Sequence, residues 1–312
     1  MSSHLFLLGE NCPTFKCSFD HLSKIDLYHS EKPYYFSGPL SVSEESSRTN
    51  IHYTTHDHIE IQDLRGQEDQ LNLDQDGFVL LKHPPLNSLR SGLYRPTDEQ
   101  VYAHLEQVRA FIKSHLAAEE VLCYNYRYRK TTREQSKETM QVSRDGGSFE
   151  NPQQPVVVPH TDLTETSGPA RLRRHLTPSE YKKYSDGETY RVRILNCWRS
   201  LLHTADAQPL AMCDYASIHK PDLIRADRAS REYAGEIYYL QYDPSQKWYW
   251  ISGQSPEEML VFVNYDSEAV EHGGEGGSVP YMVHSSFLNT RAGEDVKPRE
   301  SLEVSLIVVT QK

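Results

Sequence analysis

Apolar and polar positions alternate along this chain with two different periods. Val101, Leu105, Val108, Ile112 and Leu116 recur at helical spacing, which predicts a helix whose apolar stripe covers one face of a sheet. Thr97, with Gln100 three residues on, supplies a capping box at its start. Thr177-Pro178-Ser179-Glu180 repeats that signal with proline at the first helical position and introduces a shorter helix toward Tyr184.

Elsewhere a period of two dominates. Strands are predicted over Glu120–Tyr128, Pro155–Val158, Tyr190–Trp198, Glu236–Tyr242, Lys247–Ile251, Met259–Tyr265, Tyr281–Phe287 and Ser301–Val309. Such a run of strands after one long helix predicts a mainly β fold with flanking helices, a jelly-roll or cupin-like double-stranded β-helix. A parallel α/β fold would need helices alternating with the strands, and they do not. The expected organisation is a single catalytic domain over 1–312. Residues 1–95 would form an N-terminal arm and flanking strands, 97–118 a supporting helix and 120–312 the jelly-roll core.

The apolar Leu5–Leu8 stretch lacks the charged start and longer apolar run of a signal peptide, so it reads as an edge strand or an arm packed on the core, and the expected compartment is the cytosol. Lys130–Gln154, which carries Gly146-Gly147, and Glu271–Ser278, with four glycines, each precede a candidate ligand. They read equally as lids over an active-site mouth or as plain surface loops.

Composition narrows the function. A hydrophobic fraction of 37% with 25% charged residues is that of an ordinary globular protein. The net charge of -11 would repel a polyanion over most of the surface, so neither nucleic acid nor membrane is an expected partner. A small molecule is, with the protein a monomer or a homodimer. The five cysteines are scattered and form no C-x-x-C doublet.

A mononuclear iron site of the two-histidine, one-carboxylate kind leaves three metal positions open for cosubstrate and dioxygen. Its trace is His-x-Asp/Glu plus a distant His. With 15 His and 44 acids in 312 residues, chance alone supplies about two such pairs, which makes the bare motif weak. His160-Thr161-Asp162 follows the buried-type run Val156-Val157-Val158-Pro159, where a rigid segment ends at a barrel mouth. His58-Ile59-Glu60 lies in an alternating strand with His58, Glu60 and Gln62 on one solvated face, and His29-Ser30-Glu31 has no such context. His284, in Tyr281–Phe287, would be the third ligand.

Arg299 and Ser301 open the last strand on one face, while Leu302, Val304, Leu306 and Val308 pack the other. An Arg fork beside a hydroxyl suits the distal carboxylate of 2-oxoglutarate. Asn196 and Trp198 share a face and are candidates to line the substrate pocket, with Arg199 nearby to receive an acidic group of the substrate; they read equally as a core Trp and a strand-end Arg. Ser305, Ile307 and Val309 continue the face of Arg299 and are further substrate candidates.

These residues sit in a wider pattern that includes Glu31-Lys32-Pro33-Tyr34, Asp63-Leu64-Arg65-Gly66, Asn196-Cys197-Trp198-Arg199, Pro209-Leu210-Ala211, Tyr265-Asp266-Ser267, His284-Ser285-Ser286-Phe287 and Arg299-Glu300-Ser301. Over most of its length the chain resembles fungal 2-oxoglutarate-dependent oxygenases of the AsaB and CmcJ type, which include gibberellin desaturase. The resemblance implies iron(II) on His160, Asp162 and His284, with 2-oxoglutarate and O2 as cosubstrates. It also implies oxidation of an unactivated C–H bond of a small organic substrate by hydroxylation, desaturation or cyclisation, commonly in secondary metabolism. Two positions depart from the family pattern: Ser200 stands where Pro is usual and Ser305 where Arg often ends the last motif. The rival readings are an iron oxidase that needs no keto acid, in which Arg299 and Ser301 would hold the substrate's carboxylate, and a cupin-like binding module without turnover.

Overall fold

The computed structural model describes residues 3–9, 12–83, 97–131, 153–231, 233–274, 278–293 and 295–312. Most of the lid expectation over 130–154, and residues 275–277 of the second stretch, lie outside the described residues.

Two five-stranded sheets face one another. In the first, β1 (Thr14–Leu22) pairs with β3 (Tyr53–Asp63), followed by β10 (Trp248–Trp250), β7 (Leu210–Cys213) and β12 (His284–Ser286). The second runs β4 (Phe78–Lys82), β11 (Glu258–Asp266), β6 (Tyr190–Ser200), β13 (Glu300–Gln311) and β5 (Glu120–Lys130). A smaller sheet of β2 (Tyr34–Phe36), β8 (Leu223–Ala229) and β9 (Ala234–Leu240) adjoins the first through single-residue bridges at His160. This is the jelly-roll architecture, and strands from the first 95 residues belong to both main sheets.

Side-chain parity along β13 divides the core. Leu302, Val304, Leu306 and Val308 point outward and pack with Leu195 and Cys197 of β6 against α3 (Asp98–His115), through its Val101, Leu105, Val108 and Ile112. The capping box at Thr97 and Gln100 is formed, as is the one at Thr177 and Glu180 that starts α5 (Pro178–Tyr184). Between the sheets, Trp198, Leu260 and Phe262 meet Met212, Tyr249 and Met282. Burying a large apolar side chain contributes roughly 1.5–3 kcal/mol, so these two layers fix how the sheets sit.

Some expectations need correction. Leu5–Leu8 lies in a short helix, α1 (His4–Gly9), with Leu5 buried against the core, so the stretch is a packed arm and no edge strand. Pro155–Val158 is extended but carries no regular ladder, because Pro155 and Pro159 have no N–H to give. Its carbonyls are still used: Val156 O accepts from Ser286 N and Pro159 O from Leu240 N. Tyr281–Phe287 forms a strand only over His284–Ser286. β1, β2 and β4 fall in the stretch expected to hold flanking strands, without bounds having been set for them, β3 contains the alternating stretch around His58, and β7 and β8 had no counterpart in the expectation.

Candidate iron and 2-oxoglutarate site

His160 and His284 are opposite one another in an antiparallel bridge: His160 N donates to His284 O (3.1 Å) and His284 N to His160 O (2.9 Å). Side chains of such a pair leave the sheet on the same side, and the two imidazole centroids lie 4.5 Å apart. Two residues past His160, the Asp162 carboxylate comes within 3.8 Å of His160 Nε2. Among the described residues this is the sole group of three His, Cys, Asp or Glu side chains able to converge on an ion, with ligand atoms all within 4.8 Å of one another.

The protonation of the three suits a cation. His160 Nδ1 lies 2.7 Å from Val158 O and His284 Nδ1 3.2 Å from Met282 O. A carbonyl can only accept, so each Nδ1 carries the proton and each Nε2 presents a lone pair. Burial, with His284 alongside, lowers the His160 pKa to about 3 against the opposing effects of Asp162 and the Val158 carbonyl. Burial pushes the Asp162 carboxyl up, but His284, Arg127, His160 and Arg129 outweigh it and hold the group well below the ordinary range. Neutral imidazoles and an ionised carboxylate are the donor set that a divalent iron takes. The residues present therefore fit the metal.

Asp162 is itself held. Asn196 Nδ2 donates to Asp162 Oδ2 (2.7 Å), and Asn196 Oδ1 accepts from Ser305 Oγ (2.8 Å). Asn196 and Ser305 face each other across β6 and β13. Both were expected to touch substrate, and the structure places them behind the carboxylate.

Arg299 is 2% exposed. Its Nε donates to Ser301 Oγ (3.0 Å) and its Nη1 to Gln208 O and Ser286 Oγ (both 3.0 Å), while Trp198 lies under the guanidinium at 4.8 Å. Burial and then Arg129 lower its pKa to about 9, with Glu303 opposing. Ser286 stands two residues past His284 on the same strand, so Arg299 sits about 7 Å along that strand from the histidine. That separation and an Nη2 with no hydrogen-bond partner among the described residues suit the far carboxylate of a five-carbon keto diacid. Trp198 thus braces the arginine from the barrel wall.

The remaining candidates lie elsewhere. Arg199 is on the outer face of β6, opposite Leu302, donating to His83 O (3.0 Å), His83 Nδ1 (2.6 Å) and Met259 Sδ (3.3 Å). It does not reach the pocket. Ile307 and Val309 do face inward, but toward the layer under α4 (Ser167–His175) and α5, among Leu163, Leu172 and Tyr184. His58 and Glu60 are exposed on β3, with His58 at φ +61° beside a register shift. A further His-x-acid pair, His104-Leu105-Glu106, lies on α3 with His104 buried, where residues two apart diverge by about 200°.

Sequence reasoning passed over the cavity's basic lining. A cavity of about 650 Å³ opens on His160 and Asp162 and is lined by Arg127, Arg129, Arg171, Arg174 and Arg228 with Tyr124, Tyr233 and Tyr239. The signal was present in β5, where Asn125, Arg127 and Arg129 alternate with Tyr126 and Tyr128. Glu303, between Ser301 and Ser305 on the inner face, was also overlooked and is buried.

Residues 24–309 match the protein family described as "Oxidoreductase/YMDC permease-like domain", although no helix among the described residues is long and apolar enough to cross a membrane. The chain is 25% identical over 265 residues to the Fe(II)/2-oxoglutarate-dependent dioxygenase nvfI of Aspergillus novofumigatus, covering 84% of this chain and 86% of that one. It is 25% identical over 281 residues to the hydroxylase/desaturase poxK of Penicillium oxalicum, covering 81% and 79%. The hydroxylase/desaturase asaB of Aspergillus flavus is 29% identical over 128 residues, 37% of this chain and 54% of that one. The solved structure of the iron and alpha-ketoglutarate-dependent endoperoxidase NvfI superposes with a TM-score of 0.77 at 23% identity, over 96% of this chain and 99% of that one, which establishes the shared fold. The chain belongs to the oxidoreductase/YMDC permease-like family and is one of the AsaB-like iron(II)- and 2-oxoglutarate-dependent oxygenases.

Proposed function

We propose that this single catalytic unit oxidises an unactivated C–H bond of a small organic molecule of fungal secondary metabolism, with His160, Asp162 and His284 holding iron(II). The observation that carries the reading is the convergence of two Nε2 lone pairs and one ionised carboxylate at the mouth of the tyrosine- and arginine-lined cavity. Bound iron would supply reduction of O2 coupled to decarboxylation of 2-oxoglutarate, which leaves as succinate and carbon dioxide.

The protein's own groups do the rest. Val158 O and Met282 O fix the imidazole tautomers, Asn196 turns the carboxylate toward the metal, and Arg299 with Ser301 orients the diacid by its far end. The barrel interior around Trp198, Leu260 and Phe262 excludes water. Such placement decides whether a substrate radical is hydroxylated, desaturated or cyclised. The net charge of -11 weighs against a nucleic-acid partner.

The test is anaerobic addition of iron(II) and 2-oxoglutarate. A metal-to-ligand charge-transfer band in the visible region is expected. Turnover without keto acid would favour the keto acid-free oxidase, and metal binding without any turnover would favour the binding module.

A further inference from the structure

The cavity beside His160 and Asp162 carries more positive charge than the iron and the keto acid require. Five arginines line it against two carboxylates, in a chain whose net charge is -11. One of those carboxylates, Asp162, is a metal ligand candidate. The other, Glu236, is already engaged by Lys32 Nζ (2.6 Å), Arg225 Nη1 (2.8 Å) and Thr164 Oγ1 (2.7 Å).

Three of the arginines have work within the protein. Arg129 Nη1 donates to Gln154 O (2.8 Å), Arg228 Nη1 to the Tyr239 hydroxyl (3.0 Å), and Arg127 Nη1 stands 3.9 Å from Asp162 Oδ1. Arg171 and Arg174 differ. They lie one turn apart on α4 and so share a face, and among the described residues no carboxylate pairs with either. Both guanidiniums sit over the ring of Tyr233, at 4.8 and 4.4 Å. Arg171, His175 and Tyr233 all line the same cavity, and Arg171 Nε, His175 Nε2 and the Tyr233 hydroxyl lie in its wall, closed to solvent and with no hydrogen-bond partner among the described residues.

Two neighbouring arginines that line a cavity and face no carboxylate among the described residues are explained by an anionic ligand in that cavity. We propose that the organic substrate is an acid whose carboxylate is bound by Arg171 and Arg174, flanked by Tyr233 and His175. A guanidinium fork suits a planar carboxylate, and Tyr124, Ile237 and Val156 of the same cavity offer an apolar and aromatic surface to its carbon frame. The proposal rests on the reading of His160 and Asp162 as the oxidation site, because it places the acid at one end of the substrate and the reacting carbon toward the metal.

The experiment uses iron(II)-loaded protein, anaerobic and saturated with 2-oxoglutarate, so that Arg299 is occupied. It is titrated with 2-naphthoate and with 2-naphthamide, followed by calorimetry and by perturbation of the charge-transfer band. Wild type should bind the acid at least about tenfold more tightly than the amide, and Arg171→Gln/Arg174→Gln should erase that preference. Arg171→Lys/Arg174→Lys should recover part of it, and added salt should weaken the acid alone. The band given by 2-oxoglutarate itself should be the same in wild type and double variant. Equal affinity for acid and amide, no binding of the acid, or acid binding that survives the Gln variant would overturn the proposal. Loss of the 2-oxoglutarate band in the Gln variant would overturn it too, by assigning the pair to the cosubstrate. If wild type itself gave no band, the cofactor reading would fail, and the calorimetric comparison of acid and amide would still decide the substrate class.

Discussion

Asn196 donates from Nδ2 to Oδ2 of Asp162 at 2.7 Å, so the candidate carboxylate ligand is aimed by a neighbouring strand as well as by its own backbone. Outer partners of this kind typically change metal affinity about 10- to 100-fold when removed. Asn196→Ala should weaken iron(II) or cobalt(II) binding by that order, and Ser305→Ala, which reaches Asp162 through Asn196, by less. A metal titration showing wild-type affinity in Asn196→Ala would refute the aiming role.

His160→Ala, Asp162→Ala and His284→Ala should each abolish tight metal binding with the circular dichroism spectrum retained, since each removes one of only three protein bonds. His58→Ala, on an exposed strand face, should behave as wild type. Loss of metal in the His58 variant with full activity in His284→Ala would reverse the assignment.

Arg299→Ala should raise the 2-oxoglutarate requirement sharply, because truncating one partner of a desolvated charge pair costs about 2–5 kcal/mol. Lysine should restore little, as a point charge cannot reproduce contacts made by Nε and Nη1 separately. Iron affinity measured without keto acid should stay unchanged. A wild-type dependence on 2-oxoglutarate would place the clamp elsewhere, with Arg129 the nearest alternative.

Val309→Phe should act on stability and leave the product ratio alone. Val309 is 1% exposed and packed with Ile194, Leu172 and Tyr184, and overpacking a full core typically costs about 1–3 kcal/mol. Thermal melting together with product analysis checks this, and a changed ratio at unchanged melting temperature would return Val309 to the pocket.

Long amphipathic patterns were legible because they bury one face. The α3 stripe and the alternation over β6, β11 and β13 locate the helix and three of the main strands of the second sheet. Strands such as β2 and β7, of three and four residues, are too short to display a period. They exist because long-range pairing supplies what local preference does not. The candidate iron ligands that the structure brings together were legible because their spacing is local for His160 and Asp162 and because His284 stands in a strand.

Parity alone tells which face a residue takes and nothing about its depth along the strand. It correctly sets Arg299, Ser301, Ser305, Ile307 and Val309 together, yet the last two lie past the site. Parity also places Arg199 opposite Asn196 and Trp198, so the error there lay in setting parity aside. The roles of Asn196 and Ser305 behind Asp162 depend on cross-strand register, which a single sequence does not contain.

His160 pairs with both β9 and β12, through a bridge to Tyr239 on one side and to His284 on the other, and its neighbours add hydrogen bonds from Ser286 N to Val156 O, Leu240 N to Pro159 O and Thr161 N to Tyr238 O, with prolines at 155 and 159 withholding the donors that would lengthen the seam. In mechanical terms the sheet is stitched there by one short seam, and an ion gripping His160, Asp162 and His284 would tie a knot over it. Stripping the metal would then unfasten architecture along with chemistry, and amides on either side of the seam would exchange faster or admit a protease. The lifetime of the enzyme in the cell thereby becomes coupled to the iron supply.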